Sequence, residues 1–95
     1  MRLPSHPGAL LKAEMAARGL SANRLAMDIA VPAGRISDIV NGRRAITPDT
    51  ALRLGIYFGT GPELWLTMQS KYDIGVLQRD HGAAIAEEIR KRRAA

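Results

Sequence analysis

Residues 22–41 read ANRLAMDIAVPAGRISDIVN, and their apolar side chains have the spacing of two short helices joined by a tight turn. In each half, apolar residues three or four positions apart share one helix face, which makes that face the buried one. A small residue in the first half allows the second helix to approach closely. The pattern predicts a helix-turn-helix, a motif whose second helix enters the major groove of DNA. The positions that define it are Leu25, Ala26, Ile29, Val31, Ile36 and Ile39.

The turn between the two halves carries Ala30 where such motifs usually have glycine. Alanine can serve at this position if the backbone avoids a positive φ. The alternative to a helix-turn-helix is an ordinary pair of antiparallel helices in a bundle, since the same apolar spacing also produces that arrangement.

The composition is that of a small globular protein. Ninety-five residues are enough for one domain with its own core and too few for two. The hydrophobic share is 46% and the aromatic share 4%, so we expect a core of mainly Leu, Ile, Ala and Met. A net charge of +5 indicates an anionic partner, although many small basic proteins have none.

Other classes of protein are excluded by what the sequence lacks. The chain has no cysteine, which rules out disulfides and thiolate metal sites, and we predict no metal and no cofactor. No apolar run approaches the roughly 18 residues of a membrane span, and the N-terminus has no secretory apolar segment. We therefore expect a cytoplasmic protein with no membrane partner.

Capping signals divide the chain into helices, with no credible strand. Residues 1–8 form an N-terminal arm, residues 9–72 the helix-turn-helix domain and residues 73–95 a C-terminal helix. The predicted architecture is an all-α, lambda-repressor-like helix-turn-helix bundle of five to six helices.

The boundaries of the predicted helices come from the same signals. A first helix runs from Pro7 to about Arg18, and Ser21 caps the next one. Thr47 caps a helix after the motif, in which Leu52, Leu54 and Ile56 are expected to face the core. The last two predicted helices are one that opens at residues 60–63 and ends near 71, and one over 74–92.

Burial of the two isoleucines in the second motif helix turns the opposite face of that helix outward. Arg35 is the expected base reader, because its guanidinium can bond O6 and N7 of guanine together. Asp38 either accepts from cytosine N4 or holds Arg35 in place. We favour the second role, since a carboxylate near phosphates weakens binding; a solvated surface ion pair is the alternative. The predicted base contacts are Pro32, Ala33, Gly34, Arg35 and Asp38.

A second set of polar residues lies at the start of the motif and around the end of the predicted DNA-reading helix. Just past that helix, the chain in such folds runs along the DNA backbone. Short polar side chains and arginines suit phosphate oxygens, and such contacts position a protein without reading sequence. Ser21 is equally well explained as a helix cap alone, and residues 41–44 as a plain polar turn. The predicted phosphate contacts are Ser21, Asn23, Ser37, Asn41, Arg43 and Arg44.

Beyond the motif, residues 41–74 read NGRRAITPDTALRLGIYFGTGPELWLTMQSKYDI, and residues 6–8 read HPG. With the motif between them, these segments resemble the HigA family of XRE/Cro-type antitoxins. The run ITPDTALRL followed by FGTGPELWLTMQSKYD is the most specific part. The resemblance implies a homodimer that binds double-stranded operator DNA and represses its own operon. It also implies neutralisation of a HigB-type, RelE-like toxin that cleaves mRNA.

Two protein interfaces are expected from this resemblance. The toxin is predicted to dock on the arm and the outer face of the first helix, which leaves the DNA-reading helix free. Those residues are Arg2, His6, Lys12, Glu14 and Arg18. The dimer is predicted to use apolar surface left over after Thr60, although part of that surface can belong to the core. Those residues are Leu64, Trp65, Met68, Tyr72 and Leu77.

Catalysis is the alternative hypothesis from a different functional class, and we do not expect this protein to be an enzyme. His6 and His81 have no nucleophile or carboxylate at the spacing of a triad or a metal site, and there is no glycine-rich phosphate loop. The stronger alternative is a stand-alone repressor of the same fold without a toxin partner. A toxin-like reading frame beside this one would separate the two.

Overall fold

The computed structural model describes residues 3–94, which form five α-helices and contain no strand. The all-α bundle predicted from the sequence is thus confirmed. The helices are α1 (Pro7–Ala17), α2 (Ala22–Ile29), α3 (Ala33–Val40), α4 (Pro48–Phe58) and α5 (Glu63–Ala94).

Short polar side chains set where three of these helices begin. His6 caps α1 through its ring Nδ1, Ser21 caps α2 and Thr47 caps α4, each accepting a backbone N–H of the first turn. Ser21 and Thr47 are the caps that the sequence predicted, whereas His6 is a cap that it did not indicate. The first helix ends at Ala17, one residue before the predicted Arg18.

The core lies where α3 packs against α1 and α2, and where the start of α5 packs against α4 and α1. Trp65 at the start of α5 is completely buried, and its ring lies 6.0 Å from that of Phe58 at the end of α4. Burying each large apolar side chain stabilises the fold by about 1.5–3 kcal/mol. The fully buried large apolar side chains are Leu11, Leu25, Ile36, Ile39, Leu54 and Trp65.

The orientation of α4 differs in part from the prediction. Leu54 is buried as expected, but Leu52 is 51% and Ile56 73% exposed, so their assignment to the core was wrong. The buried face of α4 runs instead through Ala51, Leu54 and Phe58, which are three or four residues apart. Leu52 and Ile56 share the opposite face.

One continuous helix replaces the two helices predicted after Thr60. α5 runs for 32 residues without a break near residue 72 or at His81 and Gly82. Gly75 is buried because Leu3 and Pro4 lie against it, and a side chain there would collide with the Pro4 ring, since an added Cβ would be 2.9 Å from Pro4 Cδ. This glycine therefore makes room for the N-terminal arm and does not end the helix. The molecule is elongated, 56 Å by 21 Å by 21 Å, and most side chains of α5 after Leu77 are exposed.

The turn of the helix-turn-helix has a strained residue. Ala30 lies in the left-handed region, with φ 59° and ψ 50°, so the condition that its backbone avoids a positive φ is not met. The conformation closes α2, because it lets the Val31 N–H donate to the Ala26 carbonyl at 3.0 Å. A residue with a Cβ adopts this conformation at a cost of about 1–2 kcal/mol.

Replacing Ala30 with glycine should therefore stabilise the protein. We expect Ala30→Gly to raise the free energy of unfolding by about 1 kcal/mol, because glycine adopts a positive φ without strain. The control is Ala13→Gly at an exposed position inside α1, which should lower it by about 1 kcal/mol. Urea unfolding followed by circular dichroism measures both. Destabilisation by both substitutions would contradict the strained turn.

Candidate nucleic-acid interface

The exposed side of α3 is set by its two buried isoleucines. Ile36 and Ile39 are completely buried, which holds α3 against α1 and α2 and turns its other side to solvent. Pro32 precedes the helix as an exposed N-cap without a side-chain hydrogen bond, and Ala33 and Gly34 are exposed in the first turn. The start of α3 is thus an accessible surface of small side chains.

Arg35 is half-buried at the edge of this surface, and its partner is not the one expected. Its Nη1 lies 3.7 Å from Asp49 Oδ2 at the start of α4, and Asp49 also accepts from Arg53 Nε at 3.0 Å. The predicted pairing of Arg35 with Asp38 was wrong. The packing of α4 brings its acidic first turn to Arg35, a contact that no short-range pattern in the sequence indicates.

Asp38 pairs instead with the two arginines of the loop that follows α3. Its Oδ1 lies 3.6 Å from Arg43 Nη2, and its Oδ2 lies 3.9 Å from Arg44 Nε. Because the chain turns back at Gly42, with φ 73°, the loop returns to the side of α3 that carries Asp38. One carboxylate therefore lies between two exposed guanidinium groups.

The six residues predicted to contact phosphate lie at both ends of the helix-turn-helix. The Ser21 hydroxyl accepts from the Arg24 N–H at 3.0 Å, so it acts as a cap, and Asn23 is exposed in the same first turn. Ser37 is half-buried on α3, and Asn41 is the exposed C-cap of that helix. The side chains of Arg43 and Arg44 are 67% and 51% exposed.

Two hydrogen bonds tie the end of α2 to α4 and hold the motif on the rest of the bundle. Arg53 Nη1 donates to the Ile29 carbonyl at 2.9 Å, and the Tyr57 hydroxyl donates to Asp28 Oδ2 at 2.8 Å. The hydrogen bond to Asp28 raises the pKa of Tyr57 above its ordinary value, with a smaller contribution from desolvation. A phenol with a pKa at or above its ordinary value of about 10 is protonated at neutral pH, so Tyr57 keeps donating to Asp28 there.

The residues predicted to contact a toxin lie mainly on α1. Lys12 is exposed, and Glu14 pairs with Arg18 at 3.4 Å. The Arg18 guanidinium also lies over the Phe58 ring, 4.8 Å from its centroid. His6 is half-buried between its capping bond and the edge of Tyr72, with ring centroids 5.0 Å apart. Arg2 lies outside the residues that the structure describes.

The residues predicted for the dimer interface need one correction. Trp65 is completely buried and donates from Nε1 to Thr60 Oγ1 at 3.0 Å, so its side chain belongs to the core and cannot contact a second copy. Leu64 and Leu77 are exposed, whereas Met68 and Tyr72 are half-buried. Leu77 belongs to an exposed apolar stripe along α5, whose other members, Ile74, Ile85 and Ile89, the sequence analysis did not single out.

Neither a cluster of metal ligands nor a membrane-spanning helix is present in the described part of the chain. Residues 3–94 contain no group of three or more His, Cys, Asp or Glu side chains able to hold a metal ion. Within the same part of the chain, no helix is long and apolar enough to cross a membrane. The fold and the exposed α3 with its flanking arginines define a helix-turn-helix protein.

Comparison with known proteins narrows this class. Residues 8–66 match the family described as a helix-turn-helix domain. An addiction module antidote protein of the HigA family from Coxiella burnetii is 45% identical, with a TM-score of 0.87, covering 92% of this chain and 96% of that one. The antitoxin HigA of Pseudomonas aeruginosa, solved with the higBA promoter, is 36% identical, with a TM-score of 0.86 and coverage of 90% and 94%. Virulence-associated protein I of Dichelobacter nodosus is 46% identical over 76 residues, 79% of this chain and 70% of that protein.

The chain belongs to the HigA family of helix-turn-helix antitoxins. The resemblance found in residues 41–74 is confirmed by these matches, which extend over most of the chain. The base, phosphate, toxin and dimer contacts assigned to individual residues remain predictions.

Proposed function

We propose that this protein is a dimeric repressor that binds its own operator and an antitoxin that neutralises a HigB-type, RelE-like toxin. The observation that carries the DNA-binding part is the accessible start of α3 beside Arg35, with Arg43 and Arg44 exposed just beyond the helix. A 36% identical antitoxin solved with its promoter supports this part. The proposed neutralisation of a toxin rests on membership of the HigA family of antitoxins.

The proposed division of labour separates reading from positioning. Arg35 reads a guanine, because a planar guanidinium can donate two hydrogen bonds to O6 and N7. Arg43 and Arg44 contact phosphates, since they lie on a loop where their reach does not depend on base identity. When these arginines bind DNA, Arg35 gives up its ion pair with Asp49, and Arg43 and Arg44 give up theirs with Asp38. Exposed ion pairs contribute only about 0–1 kcal/mol, so this exchange costs little.

Substitutions of single arginines should separate the two roles. Arg35→Ala should weaken operator binding by about 1–3 kcal/mol and relax the preference at one base pair. Arg43→Ala should weaken binding to operator and to random DNA alike, and should flatten the dependence of log K on log salt by about one unit. Titrations at several salt concentrations measure both effects.

The control is Arg90→Ala near the end of α5, where Arg90 pairs with Glu87 far along the exposed helix. It removes the same charge and should leave both affinities within about twofold, since the C-terminal tail is interpreted as a solvated helix end. Equal losses on operator and random DNA for Arg35→Ala would mean that the base reader has been assigned to the wrong residue.

The proposed dimer uses the apolar stripe on the second half of α5. One recognition helix reads only a few base pairs, so useful specificity requires two half-sites about one helical turn apart. Leu77, from the set predicted by the sequence, lies near the N-terminal end of the stripe and is 50% exposed. Ile85 lies about two turns beyond Leu77 on the same face, and Ile89 about one turn further toward the C-terminus.

A buried charge would break this interface. We expect Ile85→Glu to convert the dimer to a monomer in sedimentation at micromolar concentration and to weaken operator binding at least tenfold, because an uncompensated carboxylate is costly to bury. The matched control is Ile56→Glu on α4, where the isoleucine is 73% exposed and outside the stripe. A dimer that survives Ile85→Glu and dissociates with Ile56→Glu would move the interface to α4.

The proposed toxin-binding surface is the outer face of α1 with the N-terminal arm. Lys12 is exposed there, and the Glu14–Arg18 pair lies on the same helix. The arm continues this surface across α5, since Leu3 and Pro4 lie against Gly75 and His6 against Tyr72. This side leaves the start of α3 free, so one dimer would hold toxin and operator together.

Two changes test this surface without disturbing the cap on α1. Deleting residues 1–5 keeps His6, and Lys12→Glu reverses an exposed charge. Each should weaken binding of the HigB-type toxin, together by at least tenfold, and leave operator binding unchanged. Lys91→Glu in the tail is the control for charge. Full protection of cells from the toxin by the folded double variant would exclude this surface and make the C-terminal helix the candidate.

A further inference from the structure

Gln69 is a buried polar residue on α5 that none of the roles above uses. It is 6% exposed, and both ends of its amide are bonded. Its Oε1 accepts from the Ile46 N–H at 2.8 Å, and its Nε2 donates to Asp73 Oδ1 at 2.9 Å. Because a backbone N–H can only donate, the Ile46 N–H requires the amide oxygen and leaves the amide nitrogen to donate to Asp73.

The bond to Ile46 lies near the end of the loop between α3 and α4, residues 41–47, which carries Arg43 and Arg44 and is called the arginine loop below. The first half of this loop is fixed by α3 itself, since the Gly42 N–H donates to the Ile39 carbonyl at 3.0 Å and the Arg43 N–H to the Asp38 carbonyl at 2.8 Å. The second half is held by Ile46, whose side chain is buried and whose N–H is bonded to Gln69. Arg44 lies between these two anchors.

We propose that Gln69 is a positioning residue that holds the loop so that Arg44 faces the DNA backbone. This inference rests on the proposed DNA binding and adds to it a residue on α5, far in sequence from the helix-turn-helix. Both arginine side chains reach Asp38, but their backbones are held differently: that of Arg43 by its hydrogen bond to α3, and that of Arg44 through Ile46 by α5. They should therefore respond differently to a change at Gln69.

The experiment measures operator affinity of the full-length protein over a range of salt concentrations. Gln69→Leu keeps the size of the side chain and removes both hydrogen bonds. It should flatten the salt dependence by about one unit, the same change as Arg44→Ala, because one phosphate contact is lost in each case. Adding Gln69→Leu to Arg44→Ala should change the slope no further. Adding it to Arg43→Ala should remove a second unit.

Trp65→Phe separates positioning from general destabilisation. It removes another side-chain hydrogen bond from the same helix, the one between Trp65 Nε1 and Thr60 Oγ1, which does not involve the arginine loop. This variant should lower the thermal stability of the protein and leave the salt slope of operator binding unchanged.

A double substitution at Gln69 and Asp73 tests whether the hydrogen bond to Ile46 can be restored. Gln69→Glu alone sets a second carboxylate against Asp73 and should flatten the slope as Gln69→Leu does. Gln69→Glu combined with Asp73→Asn reverses donor and acceptor between the two positions and leaves an oxygen to accept from the Ile46 N–H. It should restore the wild-type slope.

Three results would overturn the proposal: additive effects of Gln69→Leu and Arg44→Ala, a slope for Trp65→Phe equal to that of Gln69→Leu, or no rescue by the folded double exchange. Failure of the proposed function looks different. In that case the wild-type protein would prefer no operator sequence and would show no salt-dependent binding at all.

Discussion

The burial of Ile36 and Ile39 is the constraint on which the rest of the molecule depends. Both side chains are completely buried, so α3 can neither rotate about its axis nor lift from α1 and α2 without exposing them. Gly8 reinforces this seat from the other side, because a side chain there would overlap the Ile39 carbonyl oxygen. The HPG sequence at residues 6–8 is thus explained by packing: histidine caps α1, proline begins it, and glycine allows it to lie against the end of α3.

Once α3 is fixed, the packing of the neighbouring segments determines which carboxylate pairs with each arginine around it. Arg35 lies near Asp49 at the start of α4, while Asp38 faces the loop after α3. These pairs are long and lie at the surface, so they hold the arginines in place without binding them strongly. A phosphate brings a full negative charge to the same groups, and it competes well with a solvated carboxylate.

The sequence predicts several features that depend on neighbours three or four residues apart, although the same spacing wrongly placed Leu52 and Ile56 in the core and wrongly paired Arg35 with Asp38. The caps Ser21 and Thr47 and the buried pair in α3 are of this kind, and the structure confirms them. Contacts between distant segments were missed. Arg35 and Asp49 are fourteen positions apart, and Ile46 and Gln69 twenty-three.

Glycine and alanine positions show a further limit of sequence patterns, because small residues serve several purposes. The sequence predicted a break between two helices just before Gly75, yet this glycine lies within the continuous α5, where the lack of a side chain admits Pro4. Ala30 is the reverse case, an alanine where the backbone needs the freedom of glycine. Which purpose a small residue serves is decided by the segment packed against it, and local spacing does not reveal that segment.

The continuity of α5 links the core, the loop that carries Arg43 and Arg44, the N-terminal arm and the apolar stripe. In chain order, the helix supplies Trp65 to the core, Gln69 to the arginine loop, Tyr72 and Gly75 to the arm, and then the apolar stripe. A helix of 32 residues extends for roughly 48 Å, and no proline interrupts it. A second copy bound along the stripe would therefore be held at a fixed angle to both arginine loops. The spacing of two half-sites would then be determined by one rigid element that also sets the position of Arg44.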